Sequence, residues 1–170
     1  MSSVYERELK GILAGEEDVV RKMTHALPPE QAASYRKSMQ KPFLVVRGAG
    51  SLGVDLVALR GDVSFPIEVK SASSDVIRFS DAGGRNHEQA EGMARECARA
   101  SVIPLYAYRR KGVRGADPWR IHTLPTENLP PRIAVLYDRL PKIGKTAGGS
   151  YVLRWDEGLS LHKFLDYLCG

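Results

Sequence analysis

Two neighbouring apolar segments that carry charged residues at facing ends constrain this chain most. Asp55 lies at the start of the first segment, and Glu68 and Lys70 lie at the end of the second. Because side chains alternate between the two faces of a strand, Glu68 and Lys70 point to the same side. With Arg60–Asp62 as the turn, the segments are predicted to pair as a hairpin. The three charged side chains then meet at one end of a sheet.

This combination of charges indicates a metal site. Two carboxylates with open coordination positions suit a hard cation such as Mg²⁺. A lysine beside that cation can orient a water molecule or stabilise a developing anion, as metal-assisted phosphodiester hydrolysis requires. The alternatives are that Asp55 is a turn or bulge aspartate after Gly53, and that Lys70 is a solvent-facing strand lysine. An aspartate inside an apolar strand pattern favours the functional interpretation.

The order of these residues, Asp55 followed by Glu68-Val69-Lys70, resembles the PD-(D/E)xK nuclease signature. Further motif pieces in the same order are similar to the archaeal-type Holliday junction resolvases: Tyr5-Glu6-Arg7-Glu8-Leu9, Val45-Val46-Arg47, Ala49-Gly50-Ser51 and Val54-Asp55. A Glu-x-Lys triplet alone arises often by chance, whereas five ordered pieces are specific. The resemblance spans roughly residues 5 to 72 and fades towards residue 123.

The resemblance implies a restriction-endonuclease-like fold and assigns further site residues. Glu6 occupies the first glutamate of the family's Glu-Arg-Glu-Leu motif and would be a third catalytic carboxylate and metal ligand. Ser51 would lie near the active site, although a plain turn serine is the alternative. Arg7 and Arg47 would contact DNA phosphates, while an exposed helix arginine is the alternative for Arg7. The implied cofactor is Mg²⁺, with Mn²⁺ as a substitute.

Helix geometry separates Glu6 from its neighbour Glu8. At about 100° per residue, Glu6 lies roughly 60° from the apolar Leu9, and Glu8 lies on the other flank. We therefore expect Glu6 near the buried face and Glu8 towards solvent. The alternative for Glu6 is a charge at the helix start that complements the helix dipole.

The basic residues predict a polyanionic partner. The net charge is +5 and the isoelectric point about 9.3. The charges cluster in one loop (Arg109, Arg110, Lys111 and Arg114) and in a second set (Arg132, Arg139, Lys142 and Lys145). Solvated loops are the alternative interpretation. Beside a metal-site signature, contacts with the DNA backbone are favoured, and the first cluster is the predicted DNA-binding loop.

Hydrophobic periodicity predicts an α/β domain with a mixed central β-sheet flanked by helices. The predicted helices are 3–25 (interrupted at Gly15), 31–39, 86–100 and 159–168. The predicted strands are 43–46 (buried), 54–59, 63–69, 102–108, 119–123 and 151–155. Residues 72–84 are expected to form a loop. The whole chain, 1–170, is expected to be a single nuclease domain, with an insertion at 27–41 and a C-terminal extension at 125–170 packed on it.

Composition excludes several classes of protein. No apolar run approaches the roughly 20 residues of a membrane span. The acidic N-terminus is unlike a secretory signal, and two cysteines cannot form a disulfide framework. The four histidines are scattered, and surface or hydrogen-bonded histidines are expected. A cytoplasmic protein is predicted, in the host cytoplasm if the chain is viral.

The expected function is structure-selective cleavage of four-way (Holliday) junctions by a homodimer that makes paired symmetric nicks. The two-fold symmetry of the substrate suits a C2 dimer. The resemblance suggests that residues 86–100 and 102–108 form the dimer surface. The alternatives are another repair or restriction-type endonuclease of the same superfamily, acting on branched or linear duplex, and a DNA-binding relative that has lost cleavage.

Overall fold

The computed structural model of the chain describes residues 3–48, 53–78 and 84–170. The helices are α1 (Ser3–Leu13), α2 (Glu17–Thr24), α3 (Pro29–Arg36), α4 (Arg85–Ala100), α5 (Pro131–Asp138) and α6 (Leu161–Cys169). The strands are β1 (Leu44–Arg47), β2 (Leu56–Leu59), β3 (Ser64–Ala72), β4 (Val76–Arg78), β5 (Leu105–Arg110), β6 (Trp119–Thr123), β7 (Gly144–Lys145), β8 (Tyr151–Arg154) and β9 (Leu159–Ser160). Short 3-10 turns follow α3 and β8.

A mixed sheet forms the centre of the fold, in the strand order β1-β2-β3-β5-β6-β9. Strands β3 and β5 are parallel, because α4 crosses between them, and the remaining pairs are antiparallel. The predicted α/β class with a mixed central sheet and flanking helices is therefore confirmed. The hairpin of β2 and β3, which carries the charged motif, is paired as predicted.

Two apolar cores lie on opposite faces of this sheet. On one face, α1, α3 and α6 contribute residues such as Leu9, Tyr35 and Phe164, which pack on the inward side chains of β1, β2, β3, β5 and β6. On the other face, α4 and a small sheet in the order β4-β8-β7 cover Tyr106 and Tyr108 of β5. Strand β4 lies inside the segment that was predicted to be a loop, and its partner β8 comes from the distant C-terminal part of the chain.

The segment 27–41, which the sequence predicted to be an insertion, contains α3, in agreement with the predicted short helix. Its Tyr35 hydroxyl donates to the buried Asp117 carboxylate at 2.5 Å. The same carboxylate accepts hydrogen bonds from the Trp119 backbone N–H and from the backbone N–H of His162, and contacts the His162 ring nitrogen Nδ1 at 2.9 Å. Lys37 forms an ion pair with Asp166 of α6. The segment 27–41 is therefore bound both to α6 and to the chain just before β6.

The expectation for the histidines fails at His122 of β6, which is buried without a hydrogen-bond partner for Nε2 among the described residues. Burial, and then the charge of Arg120, lowers the pKa of His122 from its ordinary value of 6.5 to about 4. Between pH 6.5 and about pH 4, His122 therefore stays neutral in the folded protein, whereas it binds a proton in the unfolded chain. Stability should fall as the pH falls through the window from 6.5 to 4, because the unfolded state binds more protons there.

We expect this residue to contribute a loss of about 3 kcal/mol between pH 7 and pH 4, at about 1.4 kcal/mol per pKa unit. Urea unfolding of the parent and of His122→Gln at both pH values tests this. The variant should lose less stability on acidification by that amount. The same loss in both proteins would show that His122 does not cause the acid sensitivity.

In the described part of the chain, no helix is long and apolar enough to cross a membrane.

Candidate active site

Asp55 is fixed where the chain enters β2. Its backbone N–H donates to the Ile67 carbonyl at 2.9 Å, and its own carbonyl accepts from the Gly48 N–H at 2.8 Å. Its carboxylate oxygen Oδ2 accepts the Val69 backbone N–H at 2.7 Å. The hairpin therefore holds the Asp55 carboxylate next to the Glu68–Lys70 segment of β3.

Glu68 and Lys70 project from the same face of β3 and form an ion pair, with Lys70 Nζ 2.8 Å from Glu68 Oε1. Both side chains are largely buried, the carboxylate more than the amine. The sequence prediction that strand alternation places them side by side is confirmed. This ion pair keeps a lysine beside a carboxylate in a partly desolvated place, as a hydrolytic site requires.

The pKa of Asp55 is raised above its ordinary value, and several charged groups act on it. Burial raises the pKa, and the negative charge of Glu6 raises it further. The hydrogen bond from Val69 and the positive charges of Lys70 and Arg47 lower it. One electrostatic cluster therefore contains Glu6, Arg47, Asp55 and Lys70. They come from α1, β1, the position just before β2, and β3.

Glu68 belongs to the same cluster. Burial raises its pKa, Lys70 lowers it through charge and hydrogen bonding, and the charge of Asp55 raises it. Both carboxylates therefore carry a net cost for ionisation, and a cation between them would remove that cost. The oxygen donors fit a hard divalent ion. Among the described residues, however, no three Asp, Glu, His or Cys side chains are already arranged to hold one.

Glu6 is the third carboxylate of the cluster, and it forms an ion pair with an arginine. The residue is buried on α1, as the helix register predicted. Its Oε2 accepts a hydrogen bond from the Arg47 guanidinium at 2.7 Å, and the side chain of Arg47 is half exposed. Glu6 thus faces the site, yet it forms an ion pair with an arginine that was predicted to contact phosphate.

The prediction that Glu8 faces solvent is wrong. Its Oε1 accepts hydrogen bonds from Arg109 Nε and from the Trp119 indole N–H, each at 2.8 Å. The ends of β5 and β6 lie against this flank of α1 and cover it. The Arg109 side chain is mostly buried and also lies over the Tyr5 ring, 5.0 Å from its centroid. Sequence periodicity on one helix could not reveal a surface supplied by two distant strands.

The other predicted DNA-binding residues lie in different surroundings. Arg7, Lys111 and Arg114 are exposed. Arg110 is half-buried and lies over the Trp155 ring, 5.3 Å from its centroid. Ser51, the remaining predicted catalytic residue, lies outside the described residues.

Gly53 is a site residue that the motif search did not single out. Its φ of +76° lies in the left-handed region, and an added Cβ would lie 3.0 Å from Glu68 Oε2. A side chain at this position would therefore strain the backbone and press on the carboxylate. The signal in the sequence was a glycine two residues before a candidate metal ligand.

No family model and no curated protein matches this chain. The structure is nevertheless similar to that of Hjc, a Holliday junction resolvase from the archaeal hyperthermophile Archaeoglobus fulgidus. The TM-score is 0.50 and the sequence identity 16%, and the match covers 96% of this chain and 97% of that one. The similarity agrees with the resemblance carried by the sequence motifs. The chain has the α/β nuclease fold of that archaeal resolvase.

Proposed function

We propose that this chain is a metal-dependent endonuclease that resolves four-way DNA junctions. The observation that carries the proposal is the convergence of Asp55, Glu68 and Lys70 at the end of one hairpin, with Glu6 electrostatically coupled to Asp55. These residues stand in a fold shared with a protein whose substrate is known. Neither the fold nor the carboxylates alone would specify a nuclease.

In this proposal Asp55, Glu68 and Glu6 hold Mg²⁺, or Mn²⁺ in its place. The bound ion would acidify a water molecule and neutralise charge on the scissile phosphate. Lys70 positions that water and offsets the negative charge that develops on the phosphate oxygens. The contact with Arg47 uses Glu6 Oε2, and a carboxylate has a second oxygen that can bind the ion. The half-exposed guanidinium of Arg47 has further N–H donors for a phosphate group, which agrees with the role that the motif assigns to it.

Further phosphate contacts are proposed for Arg7 and for the 109–114 segment. The exposed side chains Arg7, Lys111 and Arg114 can reach a DNA backbone without breaking an ion pair. Arg109 and Arg110 are packed on aromatic rings. Their guanidinium groups would therefore meet a DNA phosphate in a fixed position. Such contacts position the duplex without reading its sequence, as expected for an enzyme that selects DNA shape.

The test is incubation of the purified protein with a synthetic four-way junction and with a linear duplex of matched sequence, each with and without Mg²⁺. Paired symmetric nicks in the junction, only with metal, are the expected result. Equal cleavage of the linear duplex would favour a repair or restriction-type endonuclease. Tight junction binding without cleavage under any metal condition would favour the non-cleaving alternative.

A two-fold dimer is part of the proposal. Of the two segments that the sequence suggested for its surface, helix 86–100 stays a prediction, and strand 102–108 must be corrected. Strand β5 lies in the middle of the sheet, and its residues 105–108 are buried, so it cannot form a dimer contact. Among the described residues, β1 and β2 carry a group of exposed apolar side chains, which we propose as a dimer contact. Leu44 is 66% exposed, Val46 44% and Leu59 39%. Leu44 pairs with Leu59 across the strands, so these side chains share one face.

Charge on this face is expected to separate the dimer. The double substitution Leu44→Glu and Val46→Glu would place charges at a contact that excludes water, so the variant should be monomeric at micromolar concentration. Its nicks should lose their pairing. Val135→Glu, which changes an apolar side chain 57% exposed on α5, is the matched control. Light scattering after gel filtration measures the mass. A parent protein that is itself a monomer would contradict this architecture.

A further inference from the structure

Tyr106 is the residue of β5 that lies level with Glu68. The parallel pairing of β3 and β5 sets Glu68 opposite Tyr106 and Lys70 opposite Tyr108. Two tyrosines and the two charged residues therefore share one face of the sheet, beneath α4 and the small sheet. Both tyrosines are completely buried. A buried phenol generally needs a hydrogen-bond partner for its hydroxyl group.

The two hydroxyl groups have different partners. The Tyr108 hydroxyl donates to the backbone carbonyl of Ser74. The strand register places the Tyr106 side chain beside Glu68, and the two groups interact electrostatically. Burial, and then the charge of Glu68, raises the pKa of Tyr106. Tyr106 thus acts on the predicted metal ligand, whereas Tyr108 acts on a loop. This difference makes the pair a natural comparison.

The Glu68 carboxylate is surrounded on several sides. Lys70 Nζ lies 2.8 Å from Oε1, and Gly53 leaves only enough space for Oε2. Of these neighbours, Lys70 has a long flexible side chain and can move when a cation enters. Tyr106 is completely buried in the core that α4 and β8 form on this face, so its ring has little freedom to move. Mutation of a group that orients a metal ligand in this way typically costs about 10-fold to 100-fold in metal affinity.

We infer that Tyr106 is a positioning residue, whose hydroxyl holds the Glu68 carboxylate in the orientation that binds the cation. The inference rests on the proposed function, because Glu68 needs such positioning only if it is a metal ligand. Tyr106 is not expected to contact DNA or the reacting phosphate.

The variant Tyr106→Phe tests the inference, because it keeps the ring and removes only the hydroxyl. We expect the dissociation constant for Mn²⁺, measured by calorimetry on the full chain without DNA, to rise by about 10-fold to 100-fold. The Mn²⁺ concentration for half-maximal single-turnover cleavage should rise by a similar factor. At saturating Mn²⁺ the maximal rate should return to within a few-fold of the parent.

Two further variants separate the possible outcomes. Tyr108→Phe removes an equally buried hydroxyl group and should leave Mn²⁺ binding unchanged. Glu68→Gln should abolish Mn²⁺ binding. If Glu68→Gln does so while Tyr106→Phe binds Mn²⁺ like the parent, the positioning role of Tyr106 is refuted and the proposed function stands. Equal losses in both tyrosine variants would also refute it, since that result indicates general loosening. A parent that neither binds Mn²⁺ nor cleaves a junction overturns both proposals.

Discussion

Replacing Asp55 by Asn, or Glu68 by Gln, is expected to abolish junction cleavage while junction binding survives. Each substitution keeps the size of the side chain. It removes the negative charge of one of the two carboxylates that are proposed to bind the cation. The rate should fall by on the order of a thousandfold or more, because the charge stabilisation of the transition state is lost with the ion. Binding should be unchanged or slightly tighter, since a carboxylate near phosphates repels DNA.

Single-turnover cleavage and gel-shift binding of the same junction measure the two effects separately. Asp62→Asn is the matched control, because Asp62 lies in the turn at the other end of the same hairpin and pairs with Arg60. It should cleave like the parent. Full activity of Asp55→Asn or Glu68→Gln, or of the parent in excess EDTA, would rule out the metal assignment.

Glu6→Gln and Glu8→Gln should separate two neighbouring carboxylates of one helix. Glu6 is coupled to Asp55 and Arg47, so Glu6→Gln should slow cleavage by roughly a hundredfold or more, the scale for removing a group that acts on the transition state. Glu8 is bound to Arg109 and Trp119. Glu8→Gln should therefore cleave within a few-fold of the parent.

The stability of the two variants provides the control. Glu8→Gln weakens a partly buried ion pair with Arg109, so it should cost about 1 kcal/mol in the free energy of unfolding. Rates are therefore compared at a temperature where urea titration shows both variants to be folded. Equal rates for the two variants, or a larger defect for Glu8→Gln, would contradict the assignment of Glu6 to the active site.

Local signals predicted the elements that carry the site. Gly15, where the first helix was expected to break, has a φ of +67° and lies against the backbone of Ser38. The two-residue alternation in β3 and the turn after β2 specified the hairpin. These features depend only on residues close together in the sequence, so they can be predicted from the sequence pattern.

These local patterns could not predict which faces of the helices and strands are buried by distant elements. The apolar residues of β1 predicted a buried strand, but β1 is at the sheet edge and only Val45 among its residues is buried. Strand β4 was missed because it pairs with β8, which comes from the other end of the chain. A run of apolar residues shows what a strand could bury, and the packing of distant elements decides whether it does.

The sequence by itself determined the charged residues of the β2–β3 hairpin, because Asp55, Glu68 and Lys70 are brought together by short-range alternation and a tight turn. Only the tertiary structure decided their partners. Arg47 pairs with Glu6, Arg109 pairs with Glu8, and Tyr106 stands level with Glu68. The register of β3 against β5 joins strands that are separated in sequence by the whole of α4, and side-chain contacts between distant segments exist only once the core has formed.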